Sequence, residues 1–380
     1  VDDFYSPQIS VKMKDMMSRV KSTLRALLPR SIWRKAAEVR DTFSSWRYRK
    51  KLDKTPLSPV KQGIVVCYGD ALKDVQNNIV QGGRVKLLDL QCVFPERCNG
   101  FNVLYLVSSA IQQNACELVN LAKRGCARFV LYQNVVSYPG WAGPEWEKQN
   151  IPNRKLLREA DLVIYQSKYC RQSADRYLGS APGDSVILYN AIDTQKFIPS
   201  TEILHEPLVL LVTGSHQQPQ RVLSVLEALY QLIADGQFVR LILAGRLNWP
   251  NAQMHVQEVV QKLRLSEYVE ITGAYTREEA PGVYQRAHIL VHTKYKDPCP
   301  TVVIEAMACG LPVLVSDLCG CAPDLVRDGV NGFEFPCGDV ASLQKLMQRC
   351  IDKPATLSDF GKASERIVQG FTLAAAADGF

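Results

Sequence analysis

No stretch of this 380-residue chain strings together the ~18 apolar residues that a membrane-spanning helix needs, and no signal-peptide pattern opens it. There is no CxxC pair, no Cys/His cluster at zinc spacing and no short disulfide framework, although the chain holds 12 cysteines. Those absences exclude a zinc-ribbon protein and a disulfide-stapled secreted domain. Most of the cysteines lie in apolar segments, where cysteine acts as a small hydrophobe. A reduced, cytoplasmic setting follows as the expectation. Cys319 and Cys321 form a lone CxC, which reads as incidental rather than metal-binding. No short-period repeat is present. The first residue is Val rather than Met, which reads as a processed protein or a segment of a longer polypeptide.

Charge is absent from the body and concentrated in an arm. Residues 1–54 carry 14 Lys/Arg against 6 Asp/Glu, whereas the remainder carries 31 against 32. Within 9–54, Met13, Met16, Met17, Val20, Leu24, Leu27 and Leu28 recur at helical spacing among basic residues, and Trp33, Phe43 and Trp46 follow a break near Pro29. The pattern predicts a basic amphipathic helical arm with three readings: a solvated connector, a partner-binding helix, or an element lying on an anionic membrane surface. Nucleic acid is not an expected partner, because no nucleic-acid-binding fold accompanies the charge.

From residue 63 the texture changes. GIVVCY, FNVLYLVSS, ARFVLYQN, DLVIYQS and SVILYN are short continuous apolar runs, the mark of parallel strands buried on both faces. After a polar connector near Pro199 to Pro207, the alternation restarts with LVLLVTG, VRLILAG, VEITGAY, HILVHTKY and PVLVSD. One intervening helix opens on a Thr276/Glu279 capping box. The expectation is an α/β protein of two doubly wound, Rossmann-like domains facing a cleft: an arm and linker over 1–58, a first domain over 59–200, a second over 201–356, and helices over 357–380 that cross back to the first.

The most informative stretch is DPCPTVVIEAMACG, 297–310. It lies past the carboxyl end of a buried strand. Pro298 and Pro300 bar helix, so a helix begins near Thr301 and stops at Gly310. Its first amides, at Thr301, Val302 and Val303, are unpaired donors suited to a phosphate or diphosphate. Asp297 before the helix and Glu305 one turn inside it would accept from hydroxyls on either side of that anion. A nucleotide-diphosphate sugar has this layout. The plainer alternative makes them a loop carboxylate and a salt-bridge partner.

Here the sequence resembles glycosyltransferase family 4, the group 1 retaining transferases of GT-B fold. The family's E-x7-E is read as Asp297 to Glu305, followed by AMACGLPV. QGGRVKLLDL, with Gly82 and Gly83, is similar to the glycine-rich loop of the first domain; AIDTQKFIP is similar to the segment entering the second. CGCAPDLVRDGVNGF resembles the family's glycine-rich turn with its P-E pair, here Pro323 and Asp324. The resemblance implies that Glu305 holds the ribose, that Asp297 contacts the donor sugar, and that no protein nucleophile, cofactor or metal takes part. No DxD-like metal site is visible. The chain departs from the pattern at three places. Asp297 replaces a Glu. Ser215 and Gln220 take the positions of the family's Arg and Lys after Gly214, leaving Arg221 one residue on, with Arg246 and Lys294 as further candidate cations. Gln133 and Asn134 stand where many members carry a His in the first domain's cleft.

Asp297, Glu305 and Arg221 are therefore the candidate catalytic residues. Gly82, Gly83, Gly214, Arg221, Arg246, Lys294, Thr301, Val302, Val303, Glu305 and Asp324 are candidate donor contacts. Asn134, with Tyr138 and Trp141 of the aromatic loop SYPGWAGPEW, are candidate acceptor contacts, though those rings equally suit surface packing. Gly82 and Gly83 also fit an ordinary turn, Arg221 a solvated surface, and Asp324 a helix cap. His216 reads as a polar loop residue and His292 as a core histidine. The expected function is a metal-independent, front-face transfer from a nucleotide sugar to a glycan or lipid-linked acceptor at the cytoplasmic membrane face. Its rivals are a nucleotide-sugar epimerase and a catalytically weak carbohydrate-binding scaffold.

Overall fold

The computed structural model describes residues 63–69, 87, 90–97, 100–112, 114–201, 207–294, 297 and 299–372. The basic arm, Gly82 and Gly83 lie outside the described residues, as does the side chain of Trp141.

The first sheet places β1 (Val66–Cys67), β2 (Val103–Val107), β3 (Arg128–Gln133), β4 (Leu162–Tyr165) and β5 (Asp184–Ile187) side by side in chain order, every pair parallel. Parallel neighbours need crossovers, which α1 (Ala115–Arg124), α2 (Trp146–Glu159) and α3 (Lys168–Tyr177) supply. Alternate strand residues feed opposite faces. Leu104, Leu106, Phe129, Leu131 and Val163 pack on Leu118, Leu156 and Ala174 of the three helices. Tyr105, Val107, Val130, Tyr132 and Ile164 pack with Val66, Tyr68, Leu87 and Leu90 on the other face. Burial of both faces is why these runs are continuously apolar. SVILYN is the exception: β5 is the sheet's edge, its burial alternates, and Val186 is 36% exposed.

The second domain runs through β6 (Leu208–Val212), β7 (Ser215–His216), β8 (Val239–Ala244), β9 (Arg246–Leu247), β10 (Val269–Gly273), β11 (Ile289–His292), β12 (Val313–Ser316) and β13 (Gly332–Phe335). Six of these form a parallel sheet in the order β10-β8-β6-β11-β12-β13, while β7 and β9 make a separate pair. The chain winds outward from β6 to β8 and β10, then returns to β11 on the opposite side. The winding therefore reverses between β6 and β11. A crevice opens there at the strands' carboxyl ends, the place where open α/β sheets bind ligands.

The connector after β5 is pinned by the segment around Phe371. The Ile192 N–H donates to Phe371 O at 2.9 Å, and the Tyr189 and Phe371 rings lie 4.6 Å apart. The helix Ala355–Val368 and the turn through Phe371 thus return to the junction between the sheets. Gly361 of that helix lies on Gly310: a Cβ there would stand 2.2 Å from the Gly310 carbonyl oxygen.

Candidate functional site

The helix Thr301–Ala308 starts where the prolines require it, with Pro300 in extended conformation as its cap. It ends on Gly310, whose φ of +73° suits glycine and whose N–H closes on Met307 O at 3.1 Å. Its amino end faces the crevice between β6 and β11. One expected amide is spent: the Val303 N–H lies 3.2 Å from Pro300 O, and the residue is fully buried. A turn before the helix consumes that donor, so Val303 serves the core rather than a ligand. The amides of Thr301 and Val302 are the outward donors.

Two cations flank this end. Arg221, in the first turn of the helix Gln220–Ala234, is 4% exposed. It donates from Nη1 to Ser215 O at 2.7 Å and from Nη2 to Thr213 O at 2.6 Å, whereas its buried Nε has no partner. Burial lowers its pKa to about 10, against the opposing pull of Asp297, so it stays charged at neutral pH. Gly214 is threaded between it and the helix: a Cβ there would meet Val302 at 3.3 Å and Arg221 at 3.4 Å. Lys294, two residues past β11, donates to Asp297 Oδ2 at 2.6 Å. The Asp297 carboxylate also accepts from the Cys299 N–H at 3.3 Å, which holds it beside the helix start. Ser215, at the place where an Arg was missing, accepts from Asn248 at 2.7 Å.

Glu305 lies one turn inside the helix and accepts the Tyr284 hydroxyl at 2.5 Å. Asp324, in the short helix Ala322–Leu325, has a side chain only 3% exposed. Its partner comes from the first domain: the Lys168 ammonium is 3.0 Å from Oδ1, as an ion pair without hydrogen-bond alignment. Burial, and then the Asp324 charge, hold the Tyr189 hydroxyl above its ordinary pKa. Tyr169 rests on Gly320, where a Cβ would stand 2.4 Å from its ring. Across the same gap Tyr132 donates to Asn190 at 2.6 Å, and Asn190 donates to Cys299 O at 2.8 Å. Both domains thus meet at the glycine-rich turn and the loop before the helix.

Residues 193–367 match the family described as glycosyl transferases group 1. That match spans the connector after β5 and nearly all of the second domain. The described residues have the GT-B architecture. The chain aligns with sucrose-phosphate synthase from Thermosynechococcus elongatus at a TM-score of 0.61 and 22% identity, covering 74% of this chain and 72% of that one. It aligns with Anabaena Alr3699/HepE in complex with UDP at a TM-score of 0.63 and 19% identity, covering 78% and 79%. In sequence it is 23% identical over 243 residues to a D-inositol 3-phosphate glycosyltransferase of Streptomyces bingchenggensis, which covers 60% of this chain and 53% of that protein. It is 24% identical over 192 residues to the phosphatidylinositol N-acetylglucosaminyltransferase gpi3 subunit of Schizosaccharomyces pombe, covering 49% and 41%. The chain spans about half the length of these curated relatives.

Within the second domain, Arg246 lines a cavity of about 240 Å³ with Gly245, Leu247, Asn248, Gly273 and Ala274, at the carboxyl ends of β8 and β10. Gly245 lets the two loops cross, because a Cβ would fall 2.0 Å from Gly214 O. Cys319 and Cys321 are fully buried with sulfurs 3.9 Å apart. Among the described residues no group of three or more His, Cys, Asp or Glu is placed to hold a metal ion. His216 is no polar loop residue: it is fully buried on β7, hydrogen-bonded to Ala244 O at 2.8 Å, and its pKa falls to about 3 through burial and then the Arg221 charge. His292 is a core residue, as expected, but both of its ring nitrogens lack a partner.

In the first domain, Asn134 sits at the cleft end of β3, yet its amide is committed. Oδ1 accepts from Ser108 Oγ at 2.9 Å and the Ser109 N–H at 3.0 Å, and Nδ2 donates to Ser109 Oγ at 3.0 Å. Tyr138 packs 5.6 Å from Tyr177, which meets Trp146 edge-on at 5.6 Å. The Tyr138 ring therefore packs against the first domain's own aromatics. Sequence reasoning missed Lys168, Tyr189, Asn190 and Tyr284. Each acts through contacts distant in sequence, which leave no local pattern.

Proposed function

We propose that the chain is a retaining, metal-independent glycosyltransferase that moves a sugar from a nucleotide-diphosphate sugar to a glycan or lipid-linked acceptor. One observation carries the reading. Asp297 and Glu305 flank the amino end of the helix Thr301–Ala308 at the sheet's switch point, with Arg221 and Lys294 beside it. In this reading the diphosphate lies against the Thr301 and Val302 amides. Glu305 accepts the ribose hydroxyls, Asp297 a sugar hydroxyl, and the base enters the cavity beside Arg246. The sugar–phosphate bond breaks with charge gathering on the leaving oxygens, where the helix dipole and the two cations stabilise it. The acceptor attacks from the leaving-group face, and the departing phosphate takes its proton. The relatives named as glycosyltransferases and the UDP complex of a similar fold support this reading.

The test is a thermal-shift panel of UDP, GDP and ADP with their sugars, followed by donor hydrolysis by the tightest binder with and without EDTA. The expected result is hydrolysis insensitive to EDTA and reduced at least about tenfold by Glu305→Ala, the worth of a charge-assisted hydrogen bond. A wild-type protein that binds nucleotide sugars without hydrolysing or transferring them would be the binding scaffold instead.

A further inference from the structure

Glu305 is the near end of a chain of hydroxyls. Tyr284 donates to its Oε2 at 2.5 Å. The Tyr284 ring is fully buried and edge-on to Phe197 at 5.9 Å, so the phenol has one position. Tyr275, after β10, stands close enough to Tyr284 to raise its pKa, and its own hydroxyl lies 2.7 Å from Thr213 Oγ1. Thr213 closes the line, for its carbonyl accepts from Arg221 Nη2 at 2.6 Å. Burial and then the Glu305 charge keep Tyr284 protonated, with its pKa well above the usual tyrosine value.

We propose that Tyr284, backed by Tyr275, is a positioning residue that orients the Glu305 carboxylate to recognise the vicinal hydroxyls of a ribonucleoside diphosphate. This rests on the role given to Glu305 above. A glutamate side chain otherwise turns about its terminal bond, and fixing it on binding costs about 0.5–1.5 kcal/mol. The phenol helps to settle that rotation in advance. A tyrosine that served packing alone would set stability without affecting which pentose binds.

The pentose is therefore the readout. Binding of UDP, GDP and ADP is measured by calorimetry, and the tightest is compared with its 2′,3′-dideoxy counterpart. Wild type is expected to prefer the ribose form by about tenfold or more, since a deleted hydroxyl forfeits a hydrogen bond to a charged group. Glu305→Gln should lose most of that preference. Tyr284→Phe, which keeps the ring, should move the ratio most of the way to that of Glu305→Gln while the Tm stays near wild type. Tyr275→Phe should move it partway and stands in if Tyr284→Phe fails to fold. A Tyr284→Phe protein with the wild-type ratio, alongside a Glu305→Gln protein that has lost it, overturns the positioning role alone. No ribose preference in wild type overturns the reading of Glu305 as well.

Discussion

Arg221 and Lys294 are both cations at the switch point, yet their surroundings divide their work. Arg221 is 4% exposed and spends two N–H groups on the carbonyls of Thr213 and Ser215, so it holds the loop that shapes the site. Lys294 has a side chain 29% exposed and one carboxylate partner, which an incoming diphosphate can share. Arg221→Met should therefore cost about 3 kcal/mol or more in urea unfolding, as two charge-assisted bonds are lost and two carbonyls are left unpaired. Lys294→Met should change stability by less than about 1 kcal/mol while weakening nucleoside diphosphate binding about tenfold. Equal stability losses for the two variants would refute the division. Asp297 and Glu305 were legible in the sequence because proline and glycine bracket their helix and fix where each stands. Tyr284 was not, because it meets Glu305 from 21 residues away.

At the scale of elements, β7 and β11 carry two histidines held neutral in the core. His216 has its pKa lowered to about 3, and His292 lies well below the ordinary value, each chiefly through burial. In the unfolded chain both take up a proton below pH ~6.5, and the folded protein does not. The stability they support is thus complete above that pH and drains away as the pH falls. Between pH 7.5 and 5 each should cost about 2 kcal/mol. Urea unfolding of His292→Leu should show roughly half the wild-type loss over that interval. It should be no less stable at pH 7.5, since the histidine's two ring nitrogens are unpartnered. An unchanged pH slope would mean that His292 is solvated or charged in the folded protein. The strand itself was readable from HILVHTKY, and the Thr276/Glu279 capping box is present, with bonds of 2.7 and 3.3 Å just ahead of the helix bearing Tyr284. The exposure of β5 was not readable, because an edge strand and a central strand can share one apolar composition and differ only in their neighbours.

For the molecule as a whole, two tandem arrays of continuous apolar runs announced two parallel sheets, since only burial on both faces tolerates such strands. The meeting of the sheets was hidden, because Asn190 reaches Cys299 across 109 residues. Neither view accounts for the net charge of residues 1–54, which exceeds that of the whole remaining chain. We expect that excess to act at an anionic membrane surface, where each basic residue contributes about 1 kcal/mol. If half of the net charge engages, the gain is about 4 kcal/mol, or roughly a thousandfold in partitioning. Co-sedimentation with phosphatidylserine-containing vesicles should then be strong for the full chain and near background for a chain lacking residues 1–54. It should collapse for both in 1 M salt, where the screening length falls to about 3 Å. Because Arg221, Lys294, Asp297 and Glu305 all lie in the second domain, the shortened chain should bind nucleoside diphosphates as the full chain does. Equal sedimentation of the two chains would place membrane attachment elsewhere, and loss of nucleotide binding on shortening would tie the arm to the donor site after all.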